Sequence, residues 1–337
     1  MVMGIIRRLC PVFLLLCACL GGAYSRSQPK EQPGVTLNHV ALELETSSEF
    51  TFVAFGDTRF HDPSDTEAAN SAVRQALVAA IDQKHPAFIS IGGDIVYTGE
   101  NPKDWQVWDS ETRIWLEHNI PIYPALGNHD LKGDEKTALE NYFARFPYLK
   151  GSRFYSVRLG NCLMLVLDSA LEELSGAQGD WLRSQLDQLP VDVDFVFFVF
   201  HHPPYTSSSD EKAYGGGHSA RSNEQELAKF LEQRHQHARA RFIVFNGHVH
   251  NYERHEHGGV AYFVTGGGGA HAYAIPRQPG DPYKDPGINY HFLLAEVNHR
   301  RVTITMNKLE FKNGNPVWST PDRVTITAPV ATPAAAD

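Results

Sequence analysis

Five stretches of the chain are apolar at nearly every position: "FTFVAF" from Phe50, "AFISI" from Ala87, "IPIYPAL" from Ile120, "DFVFFVF" from Asp194 and "RFIVF" from Arg241. None alternates between apolar and polar, which is the pattern of strands covered on both faces. Between the first two, Ser64 and Glu67 have the spacing of a capping box. They precede a helical pattern that carries Val73, Ala76, Leu77, Ala80 and Ile81 on one side. Trp181, Leu182, Leu186 and Leu189 mark a second helix, and Leu227, Phe230 and Leu231 a third. "RFYSVRLGNCLMLVLD" is two runs divided by Gly160-Asn161, a hairpin signal, and "HFLLAEVNHRRVTITMNKLEF" has the form of another antiparallel pair. The expected class is α/β, with two stacked mixed β-sheets flanked by helices.

Each of the five runs stops at a polar cluster. These are Asp57, Asp94, Asn128-His129-Asp130, His201-His202, and His248 with His250. In α/β proteins ligands gather beyond the carboxyl ends of strands, so residues far apart in sequence can converge there. The bland reading is capping and turn duty at each strand end. The sharper one is a metal centre, because oxygen and imidazole donors together suit Zn, Mn or Fe. There are too many donors for one ion, whereas two ions sharing a carboxylate would use them.

Charge makes the second reading more pointed. With 30 Lys and Arg against 39 Asp and Glu, the formal charge is −9. Such a chain has no general attraction for nucleic acid or anionic lipid, and nucleic-acid binding is not expected. An anionic substrate would need local positive charge from a few residues or from bound cations.

In order along the chain, GDTR, GDIVY, GNHD, the histidine of FHHPPY, and GHVHNYER resemble the calcineurin-like metallophosphoesterase superfamily. The position of Tyr97 and the GHVHNYER ending resemble its purple acid phosphatase branch. The resemblance covers about residues 50 to 312 and implies the four-layer αββα sandwich of that superfamily. It implies two metal ions, iron with iron, zinc or manganese. Asp94 would bridge them, Asp57, Tyr97 and His250 would complete one shell, and Asn128, His201 and His248 the other. It further implies a small phosphate-ester substrate attacked in line by a metal-bound hydroxide. His129 would contact the phosphate and help protonate the leaving group, and His218 would be a second substrate-facing histidine.

Two departures bear on this. Arg59 stands where many members have a histidine ligand and purple acid phosphatases usually glycine; it reads either as a donor to the substrate phosphate or as a surface salt bridge. Asp130 replaces a more usual glutamate. For Tyr97 the alternative is a packed aromatic with a hydrogen-bonded hydroxyl. Glu253 and Arg254 are expected as supports, His202 as a positioning or core histidine, and Asp168 as structural. His235, His237, His255 and His257 sit in charged surroundings and are expected in solvent. "GGGGA" at 266–270 lacks the Gly-Lys-Ser/Thr of a phosphate loop and reads as close backbone packing near the metal site. No Gly-x-Ser-x-Gly or His-Glu-x-x-His motif is present.

The leading functional reading is an exported phosphatase acting on phosphomonoesters. A phosphodiesterase or nucleotidase of the same superfamily is the alternative, since loops at 63–66, 207–217 and 276–286 would choose the leaving group. A non-catalytic binding protein on the same fold is more distant, because none of the shared donor set is missing.

Residues 1–25 read as an export signal: Arg7-Arg8, an apolar run, then small residues at 21–23. The run is short for a membrane span, which takes about 20 residues. "LCAC", ending at Cys19, also resembles a lipoprotein signal, so a lipid anchor there is kept open. Residues 26–45 read as a linker leading into an edge element, 46–326 as the metallophosphoesterase domain and 327–337 as a loose tail. The expected location is secreted or periplasmic, and the oligomeric state is open. Cys162 is then the lone cysteine of the mature body, read as a small buried hydrophobe with no disulfide partner.

Overall fold

Successive residues of a strand face opposite ways, so a run apolar at every position needs packing partners on both sides. The computed structural model describes residues 39–209 and 218–329, and it supplies both. In strand β7 (Phe195–Val199), Phe195, Phe197 and Val199 join one core cluster while Val196 and Phe198 join another. Strand β8 (Arg241–Asn246) divides the same way, Ile243 and Phe245 against Phe242 and Val244. The first cluster lies between two sheets, where Phe52 meets Phe197 at 5.0 Å and Phe245 at 5.9 Å between ring centroids.

The sheet holding β7 and β8 runs in the order β1 (Val40–Leu44), β5 (Tyr155–Leu159), β6 (Cys162–Val166), β7, β8, β10 (Val260–Thr265) and β9 (Tyr252–His257). The other runs β13 (Asn315–Ser319), β12 (Arg301–Lys312), β11 (Tyr290–Asn298), β2 (Glu49–Phe55), β3 (Phe88–Ile91) and β4 (Ile122–Pro124), with β14 (Arg323–Thr327) also paired to β12. Both sheets are mixed. Strands β2, β3 and β4 are parallel, as are β6, β7, β8 and β10, while β5–β6, β9–β10 and β11–β12 are antiparallel. The outer faces carry helices. Trp181 and Leu182 of α5 (Gly176–Asp187) and Leu227 and Leu231 of α6 (Ser222–His237) cover the first sheet. Leu77 of α1 (Ser71–Asp82), Trp105 of α2 (Pro102–Glu111), Trp115 of α3 (Arg113–Glu117) and Tyr142 of α4 (Glu135–Arg145) pack on the second. The expected layering of two mixed sheets between helices is what the chain forms.

The hairpin at Gly160 is present, and Gly160 has φ +54°, the left-handed value that glycine takes most easily. Two expectations change. The helix after the first strand is capped by Asn70, whose side chain accepts the N–H of Val73, and not by Ser64. Ser64 instead turns back on Asp62, and Asp65 accepts the N–H groups of Glu67 and Ala68, so this polar stretch satisfies itself as a turn. The edge element expected at the end of the linker is β1, where Val40, Leu42 and Leu44 alternate onto the core in an edge strand parallel to β5. Order also runs past 326. Thr327 closes β14, and buried Ala328 donates its N–H to the carbonyl of Arg300 at 2.9 Å. The export signal, Cys19, positions 26–38 of the linker, 210–217 of one specificity loop and 330–337 of the tail lie outside the described residues.

Candidate metal centre

The chain beyond β2 and the chain beyond β3 stay paired after the strands end. Asp57 N–H donates to the carbonyl of Gly93 at 3.0 Å, Arg59 to that of Asp94 at 2.9 Å, and Phe60 to that of Ile95 at 2.8 Å. Gly247, after β8, donates its N–H to the carbonyl of His201, after β7, at 2.9 Å. The strand ends of the two sheets are then stitched together: His248 N–H donates to Asp57, and the His201 ring reaches the carbonyl of Gly92. This close approach demands glycine. A Cβ on Gly127 would lie 2.3 Å from Asp94 Oδ1, and one on Gly247 would lie 2.5 Å from Asp57 Oδ2. Asp57, Arg59, Asp94 and His248 all take left-handed backbone, with φ between +45° and +68°. Strain of this kind concentrates at functional sites.

Two donor groups result. Asp57, Asp94 and His250 bring ligand atoms within 4.8 Å of one another, and His201, His202 and His248 do the same. All six side chains are buried. Asn128 Oδ1 adjoins the second group, 3.0 Å from His201 Nε2 and 3.2 Å from His248 Nδ1. Asp94 Oδ1 lies between the groups, 3.3 Å from His201 Nε2.

The hydrogen bonds settle which ring nitrogens carry protons. A carbonyl can only accept, so His201 Nδ1 must donate to Gly92 at 2.8 Å and His250 Nδ1 to His271 at 2.7 Å. Burial disfavours the cationic form of both rings, pushing His201 down from its ordinary value and His250 well down, helped there by the Arg59 charge. A neutral ring with its proton on Nδ1 leaves Nε2 as a bare lone pair. His201 Nε2 therefore faces two oxygen acceptors with no proton of its own to offer, and His248 Nδ1 also lies 3.2 Å from it. His250 Nε2 is buried, has no hydrogen-bond partner among the described residues, and lies 3.6 Å from Asp57 Oδ1. Converging acceptors with an orphaned lone pair are unfavourable alone and suited to cations, so the residues present fit a pair of metal ions.

The carboxylates are differentiated. Burial, then the charge of Asp94, pushes Asp57 well above the usual carboxylate range. Burial acts on Asp94 too, but the Arg59 charge and the backbone N–H of His129 outweigh it and hold Asp94 well below that range. A bound cation would favour the ionised form of both.

The remaining expected residues fall as follows. His129 donates its backbone N–H to Asp94 Oδ1 at 2.8 Å, and its Nδ1 bonds to the carbonyl of Tyr97 at 2.6 Å, which turns Nε2 outward. His218 packs beside the donors, with ring centroids 4.9 Å from His248 and 5.1 Å from His250. Tyr97 stacks near His61 and His129, with Lys132 Nζ 4.1 Å above its ring, and its hydroxyl makes no hydrogen bond among the described residues. Arg59 is not at the surface: it is 9% exposed, and its Nε and Nη2 both donate to Asp94 Oδ2.

Supports surround these groups. Asp130 accepts the N–H groups of Ile95 and Gly127 at 2.8 and 2.9 Å, and that of Val96 at 3.2 Å, clamping the loops after β3 and β4. Burial and the Asp94 charge nonetheless raise it to about 8. His202 bonds through Nδ1 to Ser169 Oγ at 2.7 Å, a positioning contact that Ser169 gave no sequence signal for. Glu253 holds Thr206 and the Ser207 N–H, Arg254 forks onto Asp322, and Asp168 pairs with Arg153. The glycine run at 266–270 packs its backbone on the site: Gly268 donates to Gly56 and Ala270 to Asp57. Of the histidines expected in solvent, His235 is instead buried, on α6 against Phe242, where burial lowers its pKa, and the His255 side chain is only 11% exposed. Cys162 is buried, as expected, and has no disulfide partner among the described residues.

The model of the family described as calcineurin-like phosphoesterase matches residues 50–252. Purple acid phosphatase 15 of Arabidopsis thaliana is 28% identical in an alignment of 198 residues that covers 53% of this chain. Those residues span 35% of the Arabidopsis protein, about a third of its length. Among solved structures, purple acid phosphatase PPD1 from yellow lupin, Lupinus luteus, superposes with a TM-score of 0.63 at 17% identity, covering 86% of this chain and 58% of the lupin one. GAP50, the anchor in the inner membrane complex of Plasmodium, gives 0.55 at 16% identity over 84% and 90% of the two chains. A dimetal phosphatase from Danio rerio gives 0.52 at 13% identity over 83% and 99%. At such identities the structural likeness speaks for the fold.

Proposed function

The chain belongs to the calcineurin-like phosphoesterase family, and on that premise we propose that it is an exported phosphatase that hydrolyses phosphomonoesters at a centre of two metal ions. The observation that carries this reading is the convergence of acceptors: His250 Nε2 without a hydrogen-bond partner among the described residues, and His201 Nε2 facing Asn128 Oδ1 and Asp94 Oδ1. Fold alone would not carry it, since the Plasmodium neighbour is described as an anchor.

In this reading Asp94 is shared, Asp57, His250 and Tyr97 hold one ion, and Asn128, His201 and His248 hold the other. Iron paired with iron, zinc or manganese suits such donors. When bound, the ions would lower the pKa of a coordinated water and offset charge on the phosphoryl oxygens. The protein's own part is positioning. Carbonyl bonds at His201 and His250 hold their Nε2 atoms toward the carboxylates. His129 presents Nε2 as the proton carrier for the departing oxygen, with its ring fixed by the Tyr97 carbonyl. His218 borders the same space. Arg59 keeps Nη1 free of other hydrogen bonds among the described residues, available to a phosphoryl oxygen.

Export is proposed on Arg7-Arg8 and the apolar run after it. Among the described residues no helix is long and apolar enough to cross a membrane. Fractionation of cells expressing the full chain, with mass analysis of the mature N-terminus, tests processing and acylation at Cys19 together. Substrate class is tested by kcat/KM for p-nitrophenyl phosphate beside bis-p-nitrophenyl phosphate. Monoester preference is expected; diester preference transfers the reading to a phosphodiesterase, and the contact of Ser207 with Asp281 at 3.2 Å marks where two of the specificity loops would make that choice.

A further inference from the structure

The turn that begins at Asn128 carries a cation that the chemistry described so far does not use. Lys132 donates its N–H to the carbonyl of His129 at 3.2 Å, and its own carbonyl accepts the N–H of Glu100 at 3.2 Å. Gly99 donates to the same His129 carbonyl at 2.9 Å, so residues 129–132 are tied to one another and to the loop after β3. The Lys132 side chain is exposed, yet its Nζ stands 4.1 Å from the centroid of the Tyr97 ring. That ring also packs against His129, at 5.3 Å between centroids. A cation over an aromatic face is held there by the ring's quadrupole.

The acids nearest to Lys132 in the fold have other partners. Asp104 takes the His61 ring and the Asn101 amide on Oδ1, and the Thr98 N–H on Oδ2. Glu100 accepts the N–H of Asp134, and Asp134 accepts that of Thr137 at 2.9 Å as the cap of α4. The lysine ion pairs among the described residues belong to Lys136 and Lys308, not to Lys132.

This ammonium lies on one particular side of the site. In the reading above, His129 Nε2 faces the departing oxygen. The charge of Lys132 reaches that ring: burial chiefly, with the Arg59 and Lys132 charges adding to it, holds His129 below its ordinary value. Arg59 Nη1 is assigned to the phosphoryl oxygens, which leaves Lys132 as the fixed charge beside the leaving group. A neutral alcohol gives Lys132 nothing to pair with, whereas an alcohol bearing its own negative charge does.

We propose that Lys132 is a specificity-determining residue that selects phosphomonoesters whose alcohol carries a second anionic group. The inference rests on the phosphatase reading above and on His129 as the leaving-group side of the site. Because the ammonium is exposed, the selection is about threefold, the size of an exposed ion pair, and it weakens as salt is added. The pairing is made alike in the bound substrate and in the transition state, so it acts through KM and leaves kcat in place.

The test is kcat/KM of the metal-loaded full chain for p-carboxyphenyl phosphate beside its neutral methyl ester, in wild type and in Lys132→Gln, Lys132→Glu and Lys132→Arg. Wild type is expected to prefer the anionic ester by about threefold at low ionic strength. Lys132→Gln should lose that preference, Lys132→Glu should reverse it, and Lys132→Arg should keep it, with turnover of the neutral ester and metal content per chain little changed in all three. A preference absent from wild type, or retained in both the Gln and Glu variants, overturns the proposal and leaves the phosphatase reading in place. Loss of the preference in Lys132→Arg to the same extent as in Lys132→Gln assigns it to packing on Tyr97 and also overturns the proposal. If wild type turns over neither ester, the phosphatase reading falls and the proposal with it.

Discussion

Both carboxylate oxygens of Asp57 accept the backbone N–H of His248, at 3.0 and 2.8 Å, although 191 residues separate the two. This bond joins the end of a strand in one sheet to the end of a strand in the other, and it sets His248 in its left-handed conformation. Asp57 therefore has two duties, a structural one through the N–H and a proposed one toward a cation.

The two duties separate by substitution. Asp57→Ala leaves the His248 N–H buried without a partner, at a cost of about 1–3 kcal/mol. Asp57→Asn retains an acceptor and should unfold within about 1 kcal/mol of wild type. Both are expected to lose the ion at Asp57, Asp94 and His250. Urea unfolding beside metal content per chain distinguishes them; equal destabilisation by Ala and Asn would remove the structural duty.

His129 should show itself by leaving group. His129→Asn is expected to lower kcat on alkyl phosphates by about 10²- to 10⁴-fold, the usual share of a positioned acid. Aryl phosphates with good leaving groups need less protonation and should lose far less. Burial holds the His129 ring below its ordinary value despite the nearby Asp94 charge. Its acid form is thus present at low pH and disappears as pH rises through a value under 6.5. The alkyl phosphate kcat should fall across that window in wild type and be flat in His129→Asn; a matching fall in the variant assigns the limb to another group.

A second pH effect belongs to stability and lies away from the donors. Glu173 is buried, its Oε1 has no hydrogen-bond partner among the described residues, and burial followed by the charge of Glu224 pushes it up to about 9. Because the folded value is raised, the stabilising contribution of its neutral form is complete below the unfolded value near 4.5 and is lost as pH rises through about 9. Urea midpoints should therefore decline from pH 5 to pH 9. Glu173→Gln mimics the neutral form and should be more stable than wild type at pH 9 by about 1–3 kcal/mol, with little difference at pH 4. An unchanged decline in the variant would place the pH dependence elsewhere.

How much of this was legible in the chain follows from what each signal depends on. The five parallel strands were legible because burial on both faces removes polar residues for whole runs, as Phe195 to Phe200 show. The donors were legible because they stop those runs abruptly. Local hydrogen-bond competition was harder to read: Ser64 and Glu67 have cap spacing, but Asp62 and Asp65 capture that segment, and Asn70 starts the helix. Helices α2 and α3 lacked a clear apolar stripe, since tryptophans at 105, 108 and 115 do most of their packing. Partnerships across the fold left no trace at all. Nothing near Arg59 in sequence names Asp94 Oδ2 as its acceptor, nothing near His202 names Ser169, and nothing near Glu173 names Glu224.

The central claim is that donors from both sheets hold two ions at Asp94, and X-ray diffraction at a metal absorption edge on crystals of the full chain tests it most directly. Two anomalous peaks are predicted, one among Asp57, Asp94 and His250 and one among Asn128, His201 and His248. A single peak, or metal bound only elsewhere in crystals grown with iron, zinc or manganese in excess, would contradict it.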